Sequence, residues 1–238
     1  MSEYSHIIDN YNAIARGAES AAVACDRNAD DILILSVSKT HPIEAIIAAM
    51  QGGISHFGEN YVQELRDKQE AIVRGNHQQP NWHFIGHLQT NKVKYIAPFV
   101  AMIHSVGSAK LAKEIDRQAE KNNRTIDILL QVNTSGEESK SGVQPEGVFE
   151  LAAEAFALPN IKVKGLMTIG TFADDVNISI REFSMLRDLR EKLQKDYPQE
   201  SLTHLSMGMT NDYETAIAQG ATIVRIGTAI FGQRDYKI

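Results

Sequence analysis

Ile32-Leu33-Ile34-Leu35-Ser36-Val37-Ser38-Lys39 is a run of apolar and small residues that ends on an amine. A strand with one wet face alternates apolar and polar residues, so a nearly continuous run predicts a strand covered on both faces. Seven further short segments repeat the pattern: Ile54–Phe57, Trp82–Ile85, Ala101–Ser105, Ile126–Val132, Val163–Met167, Leu202–Leu205 and Thr222–Ile226. The stretches between them show helical spacing, as in Leu111, Ile115 and Ala119, or Phe183, Leu186, Leu189 and Leu193. Eight such strands separated by helices are the number that closes a parallel (β/α)8 barrel of the TIM type, with an open doubly wound sheet as the alternative. Ser5–Ala24 carries Ile7, Tyr11, Ile14, Ala18 and Ala22 on one stripe and predicts an extra N-terminal helix, placed to cover the barrel bottom.

The 238 residues, 43% hydrophobic and 23% charged, suffice for one large core, and no linker or low-complexity tract divides residues 1–238, so a single α/β domain is expected. The one cysteine, Cys25, rules out an internal disulfide and reads as a packing residue in a reducing compartment. The start, Met1-Ser2-Glu3-Tyr4-Ser5-His6, lacks a signal-peptide pattern, and no apolar run reaches membrane-spanning length; a cytoplasmic protein is expected. A net charge of -6 argues against broad binding to nucleic acid or anionic membranes. The charged stretch Arg181–Lys195 reads as the solvent face of an amphipathic helix.

Lys39 stands where the first strand hands over to a loop. Partial removal from water there lowers an amine below its usual pKa of about 10.4 and frees its lone pair for Schiff-base formation with an aldehyde. By position alone a solvated loop lysine is the simpler reading. In a barrel the loops after strands seven and eight commonly hold phosphate. Here those loops are Ser206-Met207-Gly208-Met209-Thr210-Asn211-Asp212 and Arg225-Ile226-Gly227-Thr228-Ala229-Ile230-Phe231-Gly232. Gly208 and Gly227 allow close backbone approach to an anion, Ser206 and Thr228 add hydroxyls, and a short helix is expected to begin near Thr228. Tight turns with helix N-caps at Thr210 or Asn211 explain the same residues without a ligand. Arg225 closes the last strand and needs an acceptor, either a structural carboxylate or a ligand atom.

The chain resembles the pyridoxal 5'-phosphate homeostasis protein family (YggS/PROSC-like) along essentially its whole length. The resemblance is carried by Ser36-Val-Ser-Lys39-Thr, Phe57-Gly-Glu-Asn-Tyr-Val-Gln-Glu64, Trp82-His-Phe-Ile-Gly-His-Leu-Gln-Thr-Asn-Lys92, Ser139-Lys-Ser-Gly142, Gly165-Leu-Met167, Ser206-Met-Gly-Met209 and Val224-Arg-Ile-Gly-Thr-Ala-Ile-Phe-Gly232. It implies a fold-type III barrel similar to the N-terminal domain of alanine racemase, with pyridoxal 5'-phosphate (PLP) joined to Lys39 as an internal aldimine. It further implies Arg225 facing the pyridine nitrogen, Ser206, Gly227 and Thr228 holding the phosphate, and Asn60 beside the ring. His87 stands where some relatives carry proline, which bears on the rim loop and not on the cofactor.

An arginine at the pyridine nitrogen keeps that nitrogen unprotonated and weakens the ring as an electron sink, which disfavours transamination and decarboxylation. Racemisation needs bases on both faces, one of them Lys39, and no second base is evident: Tyr61, Tyr213 and Tyr236 read as packing or rim residues. A non-catalytic PLP carrier acting in PLP homeostasis, and through it in amino-acid metabolism, is therefore expected, with a weak amino-acid racemase as the alternative. A sugar-phosphate barrel with an aldolase-type lysine is a third reading. Client enzymes would take PLP by transimination, with Lys140 as a candidate secondary amine set against an ordinary loop lysine. A monomer is expected. His83 and His204 read as hydrogen-bonded structural histidines, Met167, Met207 and Met209 as core or pocket lining, and no histidine spacing predicts a metal.

Overall fold

The computed structural model describes residues 4–137, 140–171 and 175–233. Eight parallel strands close on themselves in chain order: β1 (Leu33–Val37), β2 (His56–Glu59), β3 (Asn81–Phe84), β4 (Met102–Val106), β5 (Ile126–Gln131), β6 (Ile161–Met167), β7 (His204–Ser206) and β8 (Ile223–Ile226). Each predicted strand is present. The second lies two residues further on than its apolar run, because Ile54 N donates to Ala49 O and Gly53 turns at φ +93°, so Ile54 finishes the preceding helix. That shift carries Glu59 into the strand and puts Asn60 on the barrel rim.

The helices are α1 (Ser5–Val23), α2 (Ile43–Gln51), α3 (Val62–Arg74), α4 (Val93–Ile96), α5 (Ala109–Lys121), α6 (Val148–Phe156), α7 (Val176–Asp196), α8 (Tyr213–Ala218) and α9 (Thr228–Phe231). α1 forms as its stripe predicts, with Ile7, Ala18 and Ala22 buried. Its position differs from the one expected. Rather than closing the bottom, it lies in the helical layer: Asn10 Nδ2 donates to Ile230 O at 3.0 Å, and Gly17 packs under the Tyr213 hydroxyl. The reason is length, since α9 spans four residues and leaves the seam between β8 and β1 bare for α1 to cover.

The apolar core has two parts. The larger lies between the sheet and the helices and includes Phe57, Trp82, Phe84, Phe183 and Leu186. The smaller fills the barrel interior with Leu35, Val37, Ile85, Met102, Leu129, Met167 and Ile223. Burying each such side chain stabilises the fold by roughly 1.5–3 kcal/mol. By strand alternation the interior also receives His56, His83, His104, Ser206 and Arg225.

The amphipathic reading of α7 holds for Phe183, Leu186, Leu189 and Leu193, which are buried. It fails at Glu182, which is 1% exposed and accepts from Thr171 N at 2.7 Å and Thr171 Oγ1 at 2.6 Å. This acid binds the loop after β6 instead of facing solvent. After β7 the helix begins at Tyr213 with Asp212 at the N-cap, not at Thr210 or Asn211; the Asp212 carboxylate accepts from Met209 N at 2.6 Å and ties the loop back.

Candidate functional site

Lys39 lies half-buried in the turn that follows β1. That strand, β1, pairs with β2 on one side and with β8 on the other. Val37 pairs with Gly58 of β2 and Ser36 with Ile226 of β8, so the end of β1 that leads into Lys39 lies between the strand ends that lead into Asn60 and into Gly227. Gly227 lies so near β1 that an added Cβ would stand 3.3 Å from Val37 O.

The residues on either side of Lys39 are gripped from outside the barrel wall. Ser38 Oγ donates to Glu59 Oε1 at 2.6 Å, Lys68 Nζ donates to Ser38 O at 2.8 Å, and Thr40 N donates to Glu64 Oε1. Lys68 Nζ also lies 2.7 Å from both Glu59 Oε1 and Glu64 Oε1. Thr40 adopts φ +67°, a left-handed conformation that a β-branched residue takes only when its surroundings impose it. Burial raises the Glu59 pKa, opposed by the Lys68 charge and by hydrogen bonds from Lys68 and Ser38. Sequence reasoning missed this cluster. Its signal is the i, i+4 pair Glu64 and Lys68 on a helix that follows a strand ending in Glu59.

Arg225 is buried, and its acceptors are neutral: Nη1 donates to Ser206 Oγ at 2.9 Å and Nη2 to Thr168 O at 2.8 Å. Of the two acceptors expected from sequence, the structural carboxylate is not the partner in these bonds. Burial lowers the Arg225 pKa to about 10, offset in part by the charge of Asp212, so the guanidinium stays charged at neutral pH. Two of its five N–H donors are used in these bonds. Thr168 is fixed in turn, its hydroxyl donating to Val132 O at 2.9 Å.

Ser206 is fully buried, and a column of imidazoles runs below it. His104 Nδ1 lies 3.0 Å from Ser206 Oγ, His83 Nδ1 lies 2.9 Å from His104 Nε2, and His56 Nδ1 lies 3.0 Å from His83 Nε2. Burial drives the His83 pKa to about 3 and that of His104 well below 6.5, so both rings are neutral. The structural role expected of His83 holds, with two hydrogen-bonded neighbours. His204 meets Thr222 Oγ1 at 3.3 Å.

Gly208 turns at φ +89° against Ala216 of α8, and its carbonyl accepts from Arg225 N at 3.0 Å, so this glycine seats Arg225. Gly227 caps α9, and its carbonyl accepts from Ile230 N and Phe231 N. Among the described residues Asn60 Oδ1 is buried without a hydrogen-bond partner. Asn60 is pinned by Gly86, where any Cβ would overlap the Asn60 backbone. Above β3 to β5 a cavity of about 580 Å³ is lined by His87, Asn91, Ser105, Gln131 and Ser141 among others, and by none of the residues expected to hold the cofactor. His87 is exposed on its rim.

Lys140 is tied across two loops: its Nζ lies 2.7 Å from Glu137 Oε1 and 3.3 Å from Thr171 Oγ1. Tyr61 is exposed, the Tyr213 hydroxyl donates to Glu214 at 3.1 Å, and Tyr236 and Ser139 lie outside the described residues. Met167 and Met207 are buried, one inside the barrel and the other in the outer core. Cys25 is half-buried and unpaired with sulfur. Among the described residues no helix is long and apolar enough to cross a membrane.

A closed parallel barrel with a lysine after β1 and an arginine on β8 defines the class, and residues 10–235 match the family described as alanine racemase, N-terminal domain. The pyridoxal phosphate homeostasis protein of Vibrio cholerae is 43% identical over 97% of this chain and 98% of its own length; that of Aquifex aeolicus is 46% identical over 94% and 97%. The solved structure of PipY from Synechococcus elongatus, with PLP bound, superposes with a TM-score of 0.80 at 34% identity, covering 91% of this chain and 100% of PipY. The chain belongs to the pyridoxal phosphate homeostasis protein family.

Proposed function

We propose that this protein holds PLP as a Schiff base on Lys39 and acts in PLP homeostasis as a carrier rather than as an enzyme. The observation that carries the reading is that β1, which leads into Lys39, pairs on one side with β2, which leads into Asn60, and on the other with β8, which carries Arg225 and leads into Gly227. The residues fit the cofactor. Among the described residues Asn60 Oδ1 is a buried acceptor with no protein partner, and Arg225 stays charged at neutral pH after bonding Ser206 and Thr168. PLP bound here would supply an aldehyde carbon for the lysine amine.

The protein's own groups divide the work. Lys39 is the amine; Glu59, Glu64 and Lys68 fix its turn; Arg225 presents a donor to the pyridine nitrogen and Ser206, Gly227 and Thr228 hold the phosphate. Asn60 stands beside the ring. The carrier role is supported by the homeostasis name of the V. cholerae and A. aeolicus relatives. In this reading the chain works in the cytoplasm as a single-domain monomer, and PLP leaves by transimination to an amine of a client enzyme, which links the protein to amino-acid metabolism.

The test is an absorbance spectrum of the purified, PLP-loaded protein before and after borohydride, followed by peptide mass mapping. A reduced pyridoxyl adduct on Lys39, absent in Lys39→Ala, is expected. An adduct on another lysine, or none, overturns the assignment. Alanine-racemase-type barrels make a weak racemase the second reading, and appearance of the D isomer from L-alanine, lost in Lys39→Ala, would favour it.

A further inference from the structure

The column Asn81, His56, His83, His104, Ser206 runs from the N-terminal end of the barrel to the candidate cofactor end. Asn81 is exposed and His56 half-buried, whereas His83, His104 and Ser206 are buried. Each contact joins Nδ1 of one ring to Nε2 of the next, and His104 Nδ1 meets the serine hydroxyl. A neutral imidazole has one donor and one acceptor, so in such a head-to-tail chain every ring follows its neighbour. Only two arrangements satisfy all three. Either each ring carries its proton on Nδ1 and His104 donates to Ser206, or each carries it on Nε2 and Ser206 donates to His104. Arg225 Nη1 donates to Ser206 Oγ in both, so the direction of the serine O–H selects the state.

We propose that His56, His83 and His104 act as one tautomer relay that couples an acceptor bound at Ser206 to solvent at the opposite face of the barrel. The proposal rests on the cofactor reading above, in which Ser206 meets a phosphate monoester. A phosphate oxygen that accepts the Ser206 O–H sets all three rings to the Nδ1–H form. The change balances as a proton transfer. Ser206 gives its proton to His104 Nδ1, His104 Nε2–H passes to His83 Nδ1, His83 Nε2–H passes to His56 Nδ1, and His56 Nε2–H leaves to water. Ser206 would regain its proton from a phosphate monoester arriving as the monoanion, whose ionisation lies at about 6, so the exchange belongs to pH values near or below that. One proton enters from the ligand, one leaves at the far end, and release of the ligand reverses the sequence. Burial keeps the rings from storing a charge, which suits a relay better than a sink. Among the described residues the charged and titratable groups around the column are Arg225 above it and, along its length, His204 with Lys164 and Asp127 beside that ring.

The test is nitrogen NMR of the imidazoles in the full chain, free and with PLP, with bound PLP followed by absorbance. Conversion of His56, His83 and His104 together from Nε2–H to Nδ1–H on binding is expected. In His83→Leu the His104 Nε2–H has lost its acceptor, so PLP should convert neither His104 nor His56. Unchanged rings in PLP-loaded protein, or a His56 response that survives in His83→Leu, overturn the relay while leaving the cofactor assignment standing. If absorbance shows no PLP bound, the cofactor reading falls, and inorganic phosphate then decides the relay: concerted conversion supports it, and unchanged rings overturn it.

Discussion

Lys68 lies 2.7 Å from Glu59, and both are buried, the lysine 7% exposed and the carboxylate fully enclosed. Their pairing is a backing plate for Lys39, because the same ammonium also holds the Ser38 carbonyl. Removing one partner of a buried pair leaves the other charge uncompensated, which typically costs about 3–5 kcal/mol. Lys68→Met should lose stability of that order in chemical denaturation. Variant protein that still folds should form the Lys39 Schiff base more slowly, on the order of tenfold, since misplacement of a reacting group is costly. Unchanged imine formation would mean that the turn holds itself.

Stability should fall on the acid side through the interior histidines. Unfolded imidazoles titrate near 6.5, whereas His83 titrates at about 3 and His104 well below 6.5 in the folded chain. The unfolded state therefore binds more protons below 6.5. Each ring weakens the fold by about 1.4 kcal/mol per pH unit as pH falls from 6.5 toward the folded value, and contributes no slope above it. Unfolding free energies measured between pH 5 and 7 should show this slope, and His83→Leu should flatten it by one ring's share.

Arg225→Lys should weaken PLP binding. A lysine offers a point charge in place of a fork and cannot reach both the Ser206 hydroxyl and the Thr168 carbonyl while facing a ligand. Loss of one hydrogen bond to a charged group is worth about 1.5–3 kcal/mol, or roughly 10–100-fold in the dissociation constant. Absorbance titration with PLP measures it.

Gly86→Ala should disturb the ring side of the site through the Asn60 backbone. Its Cβ would overlap the Asn60 backbone, which must move with its orphaned side-chain oxygen. Overpacking of this kind costs about 1–3 kcal/mol. A lowered melting temperature together with weaker PLP binding is expected; full affinity would dissociate Asn60 from the cofactor.

The strands were legible because a doubly covered parallel strand has to be apolar nearly throughout, as Ile32–Val37 and Ile126–Val132 are. Boundaries were less so: Ile54 looks like a strand residue but caps a helix, a hydrogen-bond assignment that hydropathy does not carry. Lys39, Asn60 and the Arg225–Thr228 segment were legible as positions at strand ends, and those ends belong to neighbouring strands, β1 between β2 and β8. The partners of Arg225 were not, since Thr168 acts through its carbonyl, which every residue possesses. The histidine column was hidden for another reason. His56, His83 and His104 are 27 and 21 residues apart, and only barrel alternation on three neighbouring strands turns them toward one another.

The docking of α1 against α8 and α9 also bears on biosynthesis. The first helix made has its resting place on the last ones, and the first strand must wait for the eighth to complete its pairing. A ribosome-bound nascent chain therefore holds the uncovered apolar stripe of α1 and an open sheet edge until translation has passed Phe231, which makes closure of this molecule a late and highly non-local event.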